Sequence, residues 1–176
     1  LQTQAPGEAF NFAQHLIALN VGRAAKTAFI DDAGSLSYAD LAESVKRFAA
    51  GLQAAGIRRE ERVLLLMHDC CDWPVAFLGA MYAGIVPVAV NTLLTADDYA
   101  YMLAHSRAQA VMVSSALLPT LQEALAQAPH EVKTIIVSNT GADLPNNAVA
   151  MRDFISQHAT QNSPATTRPD DPGFWL

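Results

Sequence analysis

From Arg62 onward the chain alternates uninterrupted apolar runs of strand length with longer segments of helical spacing, and this alternation restricts the fold more than any other feature. Val63-Leu64-Leu65-Leu66-Met67 is one run and Val86-Pro87-Val88-Ala89-Val90 a second, with a helix-length segment, Asp72 to Gly84, between them. A strand with one face in water alternates apolar and polar residues, whereas a parallel sheet covered on both faces produces continuous runs. Thr95-Ala96-Asp97-Asp98 carries a capping signature that opens a helix to about His105. A strand over Ala110 to Val113, a helix over Ala116 to Ala126 and a strand over Thr134 to Val137 continue the series. The succession predicts an α/β fold, a mostly parallel doubly wound sheet with flanking helices.

Ahead of this series Leu1 to Gly7 is small and polar and reads as a loose arm, and Phe10, Phe12, Leu16, Ile17 and Leu19 are spaced for a short helix around Asn11 to Leu19. Ala28 to Ile30, the turn residues Asp31 to Gly34 and then Ser35 to Ser37 read as a β-hairpin. Ser37, with Asp40 three residues on, caps the next helix; Leu41, Val45, Phe48 and Leu52 share one face of it, and Gly56 stops it. Beyond the last strand, Asn139 to Asn147 reads as a surface loop, Met151 to His158 as a short helix and Ala159 to Asp171 as an extended connection. Pro169 to Leu176 begins with turn residues and ends in Phe174-Trp175-Leu176, which reads as a buried strand starting up.

Seventeen acidic residues against eleven basic ones, with no Lys/Arg run longer than a pair such as Arg58-Arg59, argue against a nucleic-acid partner. The most apolar stretch, Trp73 to Val90, contains Pro74, Gly79, Gly84 and Pro87 and reads as core, not as a membrane span. No basic segment followed by an apolar one is visible as a secretory signal, and a cytoplasmic location is expected from the redox reading of the two cysteines. Cys70 and Cys71 are adjacent. Neighbouring Cα atoms lie about 3.8 Å apart, short of the roughly 4.4 Å lower limit of ordinary disulfides, so two reduced thiols are the preferred reading over a vicinal disulfide. Neither cysteine forms a CxxC pattern, and the histidines form no HxxxH pattern, as a metal site would ask.

His68, Asp69 and Asp72 surround the cysteine pair at the carboxyl end of a strand, where open α/β sheets bind ligands. They read either as an acid-base cluster or as a loop in which Asp72 caps the following helix; the cap is preferred. Asn91 and Thr92 hold the equivalent place after the next strand. Ser114-Ser115 could imitate a phosphate-binding turn, but with no glycine beside them a helix cap is the better reading. Gly22, Gly34 and Gly56 form no GxGxxG. Trp73, Phe77 and Tyr82 fall at helical spacing and read as core, Gly79 and Gly84 as sites of close helix-sheet packing, and Pro87 as a strand start or edge residue.

Ser35 to Leu41, Gly51-Leu52 with Gly56-Ile57, Arg62 to Leu66 and Trp73 to Ala80 resemble, in this order, consecutive pieces of the adenylate-forming acyl-CoA synthetases. Ala83 to Leu94 and Asp97 to Leu103 look specifically like the benzoate-CoA ligase group, and Ala104-His105-Ser106 departs from it where an acidic residue usually precedes the serine. The resemblance runs from Ala9 to Leu176. It implies part of the large N-terminal domain of an enzyme that uses ATP, Mg2+ and CoA to convert benzoate or a related aromatic carboxylate, through an acyl-adenylate, into a CoA thioester. In that family a Ser/Thr/Gly-rich phosphate loop comes directly after the strand that Phe174-Trp175-Leu176 would begin, and the acidic and lysine residues of catalysis lie further on. The resemblance therefore assigns no catalytic, cofactor-binding or metal-binding residue to these positions. The 176 residues alone are expected to be inactive and to self-associate through uncovered core surface.

The expected organisation is residues 1–57 as arm, hairpin and helix packing on another layer, 58–158 as the α/β subdomain, and 159–176 as the connection and the start of the next strand. The alternatives are a stand-alone α/β binding or interaction module, or a doubly wound enzyme that does not use ATP and has its site at His68 to Asp72.

Overall fold

In the computed structural model, which describes residues 7–141, 144–161 and 163–176, the expected first helix is α1 (Phe12–Asn20). The Asn11 side-chain oxygen accepts the Gln14 N–H at 3.1 Å and caps it. The hairpin is β1 (Thr27–Asp31) paired antiparallel with β2 (Gly34–Ser37), and Asp31 Oδ1 accepts the Ala33 and Gly34 N–H groups to close its turn. Ser37 caps α2 (Tyr38–Ala54) by accepting the Asp40 N–H at 3.1 Å. Leu41, Val45, Phe48 and Leu52 are all buried along its inner face. At its end Gly56 takes a φ of 75°, its N–H reaches Gln53 O, and the Ile57 N–H reaches Leu52 O. That is a Schellman closure, which needs a residue free to enter the left-handed region. Leu1 to Pro6 of the expected loose arm lie outside the described residues.

The alternating series folds as β3 (Arg62–Leu66), α3 (Asp72–Tyr82), β4 (Val86–Ala89), α4 (Ala96–Ser106), β5 (Ala110–Ser114), α5 (Leu118–Gln127) and β6 (Thr134–Ser138). The chain continues with β7 (Ala148–Ala150) and α6 (Met151–Ser156). Strands β3 to β7 form one parallel five-stranded sheet in the order β4-β3-β5-β6-β7. The doubly wound expectation holds. Strand β7 is an addition to it; it comes after the loop read over Asn139 to Asn147, of which Ala142 and Asp143 lie outside the described residues.

Successive strand residues face opposite sides, and the sheet divides its apolar residues accordingly. Val63, Leu65, Met112 and Ile136 pack with α1, α2, α3 and α6, whereas Leu64, Leu66, Val111 and Val113 pack under α4 and α5. The chain steps from β3 to β4 in one direction with α3 on the first face, then reverses across β3 to β5 with α4 on the other. Opposite directions with helices on opposite faces keep both crossovers at one hand. The first core runs unbroken across residue 57, since α2 and Ile57 share it with β3.

Two glycines need a different account from close helix-sheet packing. A Cβ on Gly79 would lie 2.7 Å from Phe48 Cδ1 and 3.2 Å from Val45 O, so its smallness serves the contact of α3 with α2. Gly84 has a φ of 71° and closes α3 as Gly56 closes α2, with its own N–H on Met81 O and the Ile85 N–H on Ala80 O. Pro87 lies, as expected, on the edge strand of the sheet.

Candidate functional site

In an open parallel sheet the ligand crevice lies beyond the carboxyl ends of the strands, where the strand order reverses. Here that point falls between β3 and β5. It is bridged: the His68 N–H donates to Ser114 Oγ at 2.9 Å, joining the loops after the two strands. Ser115 Oγ donates to Asn139 O at 2.8 Å and joins the loop after β5 to that after β6. Neither serine side chain caps a helix, because Ser115 opens a 3-10 turn (Ser115–Leu117) with no side-chain cap, and this corrects the capping expectation.

Asp72 does not cap α3 either. Cys71 holds the N-cap position with no side-chain bond, while Asp72 is the first helical residue and its Oδ2 accepts the Ser138 hydroxyl at 2.6 Å. An acidic residue in the first turn still suits the helix dipole, but its hydrogen-bond partner is 66 residues away. Ser138 is buried and also lies 3.7 Å from Cys70 Sγ, so the end of β6 anchors the start of α3. His68 and Asp69 are exposed beside this network. The three expected acid-base candidates thus lie along one loop, with Asp72 engaged in holding it together.

Both cysteines are free thiols. Burial, and then the hydrogen bond and charge of Asp31, push the Cys71 thiol up to about 11. Asp31 Oδ2 in turn accepts the Cys71 N–H at 2.8 Å, which holds its carboxyl below the usual range and pins the hairpin to the start of α3. A thiol so placed is a poor nucleophile at neutral pH. The sequence offers no local sign of Asp31 or Ser138 as anchors, because each acts on residues 40 or more positions away.

After β4 the polar pair is also engaged locally or left at the surface. Asn91 Oδ1 accepts the Leu93 N–H at 3.0 Å in a turn of its own making, Asn91 O accepts the Tyr99 hydroxyl, and Thr92 is half-buried. Thr95 and Asp98 form the expected capping box on α4.

The open side of the molecule is the flank beside β4. Trp175 forms a parallel bridge to Val88: its N–H donates to Pro87 O at 2.9 Å and its carbonyl accepts the Ala89 N–H at 3.2 Å. A single bridge thus stands where a buried strand start was expected, and Phe174, Trp175 and Leu176 are exposed, not buried. Phe174 leans on Phe77, which stacks on Trp73 at 4.9 Å. Phe10, Phe12, Phe77, Met81 and Phe174 line an apolar cleft of about 360 Å³. Trp73 and Phe77 are half-buried there, whereas Tyr82 faces inward and is fully buried.

Among the described residues no three His, Cys, Asp or Glu side chains are grouped to hold a metal. No glycine lies at the carboxyl edge between His68 and Cys71 or between Ser114 and Leu117, so the backbone there offers no phosphate cradle. No helix among the described residues is long and apolar enough to cross a membrane.

The fold defined by these observations is a doubly wound α/β layer whose edge strand β4 is bridged in parallel by Trp175. The family model of the AMP-binding enzymes matches residues 18–176, and the chain belongs to that family. A 4-hydroxybenzoate–CoA/benzoate–CoA ligase of Rhodopseudomonas palustris is 40% identical to it over 168 residues, 94% of this chain and 30% of that protein. A benzoate–CoA ligase of Thauera aromatica is 40% identical over 172 residues, 96% of this chain and 32% of that protein. The crystal structure of a benzoate CoA ligase from Burkholderia xenovorans superposes with a TM-score of 0.86 at 47% identity, covering 95% of this chain and 32% of that one. The chain thus spans about a third of the length of these relatives.

Proposed function

We propose that these residues form the amino-terminal α/β part of an aromatic carboxylate-CoA ligase, with benzoate or a close relative as the acid. The observation that carries the reading is the 40% to 47% identity, along nearly the whole chain, with ligases named for benzoate. In the proposed reaction the carboxylate attacks the α-phosphate of ATP, pyrophosphate leaves, and the thiol of CoA displaces AMP to give the thioester. ATP with Mg2+ and CoA would be the co-substrates, and breakdown of aromatic acids in the cytoplasm the setting.

The contribution of this chain is structural. At the carboxyl edge Ser114, Ser138 and Asp72 are engaged in bonds that join its loops, and its sheet would supply the edge on which the next strand builds. In this reading residues 1–57 form the arm, hairpin and first long helix, 58–158 the α/β subdomain that shares their core, and 159–176 the connection to the strand ahead of the phosphate loop. The cleft beside β4 is the surface through which the isolated chain would self-associate. The test is product analysis on the full-length protein: AMP and an aromatic acyl-CoA should form only when benzoate, ATP and CoA are all present. A folded full-length protein that makes neither product with benzoate or any hydroxybenzoate would end the reading.

A further inference from the structure

The connection over residues 163–173 has little regular structure, yet it is fastened at three points, to the end of α3, to the segment ahead of α1 and to the turn ahead of β3. The Ala165 N–H donates to Tyr82 O at 2.9 Å, and the absence of a side chain on Gly84 lets Ala165 approach. Thr167 exchanges two bonds with Phe10: the Phe10 N–H donates to Thr167 O at 2.8 Å, and Thr167 Oγ1 donates to Phe10 O at 2.7 Å. The third fastening is ionic. Asp171 Oδ2 accepts Arg59 Nη2 at 2.8 Å and also the Arg168 N–H at 2.9 Å, so a single carboxylate both closes the 168–171 turn and pairs with a cation. Arg59 is itself located by the neighbouring Glu60 N–H, which donates to Gly84 O at 2.8 Å just before β4.

Beyond Asp171 the strand start has few constraints of its own. Only two backbone bonds join Trp175 to β4, and Pro87 offers no N–H to an earlier residue of the incoming strand. Edge additions held by so few bonds are weakly specified in register, and a slip of one residue moves a strand by about 3.3 Å and turns its side chains to the other face. Such a slip would carry Asp171 away from Arg59, because only Pro172, Gly173 and Phe174 separate the ion pair from the bridge. Arg62, with its guanidinium 5.7 Å from the centre of the Trp175 ring, favours the same register.

We infer that Arg59 and Asp171 are a positioning pair, which sets the register of the strand entering at Trp175 and, through it, the placement of the segment into which that strand leads. On the ligase reading, on which this part of the inference rests, that segment is the phosphate loop, so the pair would govern the fit of ATP without touching it.

The test separates the two layers. In the full-length protein, amide hydrogen exchange at Trp175 and Ala89 is compared for the wild type, Asp171→Asn, Arg59→Ala, Arg59→Lys and the double variant. Asp171→Asn keeps an acceptor for the Arg168 N–H but removes the charge. It should speed exchange at these two amides about 5-fold, in keeping with a partly exposed ion pair. Arg59→Ala should do the same, the double variant should add nothing, and Arg59→Lys should restore protection. Exchange in β5 and β6 should not change. Exchange at Trp175 and Ala89 unaltered in both single variants would overturn the inference. In the full-length protein, Asp171→Asn should raise the KM for ATP about 5-fold at an unchanged melting temperature and an unchanged KM for CoA. A KM for ATP unmoved in an active variant would overturn the link to nucleotide placement. Faster exchange in a protein that never activates benzoate would instead retain the pair and discard the ligase reading.

Discussion

The carboxyl edge of the sheet and the flank beside β4 are built on opposite plans. At the edge, the loops after β3, β5 and β6 spend their polar groups on each other: His68 on Ser114, Ser115 on Asn139, Ser138 on Asp72. At the flank, Phe77 of α3 and Phe174 of the connection meet beside an open cleft, and two backbone bonds join Trp175 to β4. A doubly wound sheet ordinarily takes ligands at the edge. In this chain the loops at that edge are joined to one another by these bonds, and the apolar cleft lies on the flank beside it. Position in a fold therefore does not by itself assign function to the residues found there.

The comparison breaks most severely if the shared core fails. Phe48 is fully buried between α2 and α3, so Phe48→Asp would place a charge in apolar surroundings and should cost about 4 kcal/mol or more. A thermal melt or urea titration reads the loss, and an unchanged midpoint would mean that the α2 face is not packed as described. Gly79→Ala tests the same contact more gently. With 2.7 Å to Phe48 and 3.2 Å to the Val45 carbonyl, the added methyl should cost about 1 to 3 kcal/mol, against a gain in helix propensity of no more than about 1 kcal/mol. A variant more stable than wild type would show that the two helices have room to part.

Ser138→Ala probes the edge alone. It leaves Asp72 without its hydroxyl donor, and a loss of about 1 to 2 kcal/mol is expected in the same melt. In the full-length protein it should leave the chemistry of acyl-adenylate formation intact. A fall in activity of a hundredfold or more at unaltered stability would instead mark the edge as catalytic.

The smallest effect is one of pH. The Asp31 carboxyl lies below its ordinary value in the folded chain, chiefly because it accepts the Cys71 N–H. Its contribution is therefore present above the unfolded carboxylate pKa and lost as pH falls through the lower folded value. Asp31→Asn should flatten the stability profile in that acidic window and leave it elsewhere unchanged in shape. Burial, and then the side-chain hydrogen bond and charge of Asp31, hold the Cys71 thiol near 11, so Cys71 should be alkylated far more slowly at pH 8 than a free thiol, as mass spectrometry of the labelled peptide would show.

Much of the fold is legible in the sequence because its signals are local. Continuous apolar runs locate β3 to β6, and Ser37, Thr95 and Gly56 announce helix ends through groups three or four residues away. Strand β7 is not legible: Ala148-Val149-Ala150 is too short to show a period, and its pairing is provided by β6. Asp72, Ser114 and Ser115 mimic caps for a related reason. Each sits where a cap belongs, and only the folded chain brings Ser138, His68 and Asn139 within reach. Gly79 has the spacing of a contact with the sheet, but its neighbour is Phe48 on another helix, a pairing that spacing along one helix does not encode.

The decisive experiment is pyrophosphate exchange with benzoate and ATP, run side by side on the 176-residue chain and on the full-length protein that contains it. Benzoate-dependent exchange is expected in the full-length protein and none above a protein-free blank in the chain, whose polar edge is occupied with its own bonds. Exchange catalysed by the 176 residues alone would contradict the division of labour between this chain and the rest of the ligase.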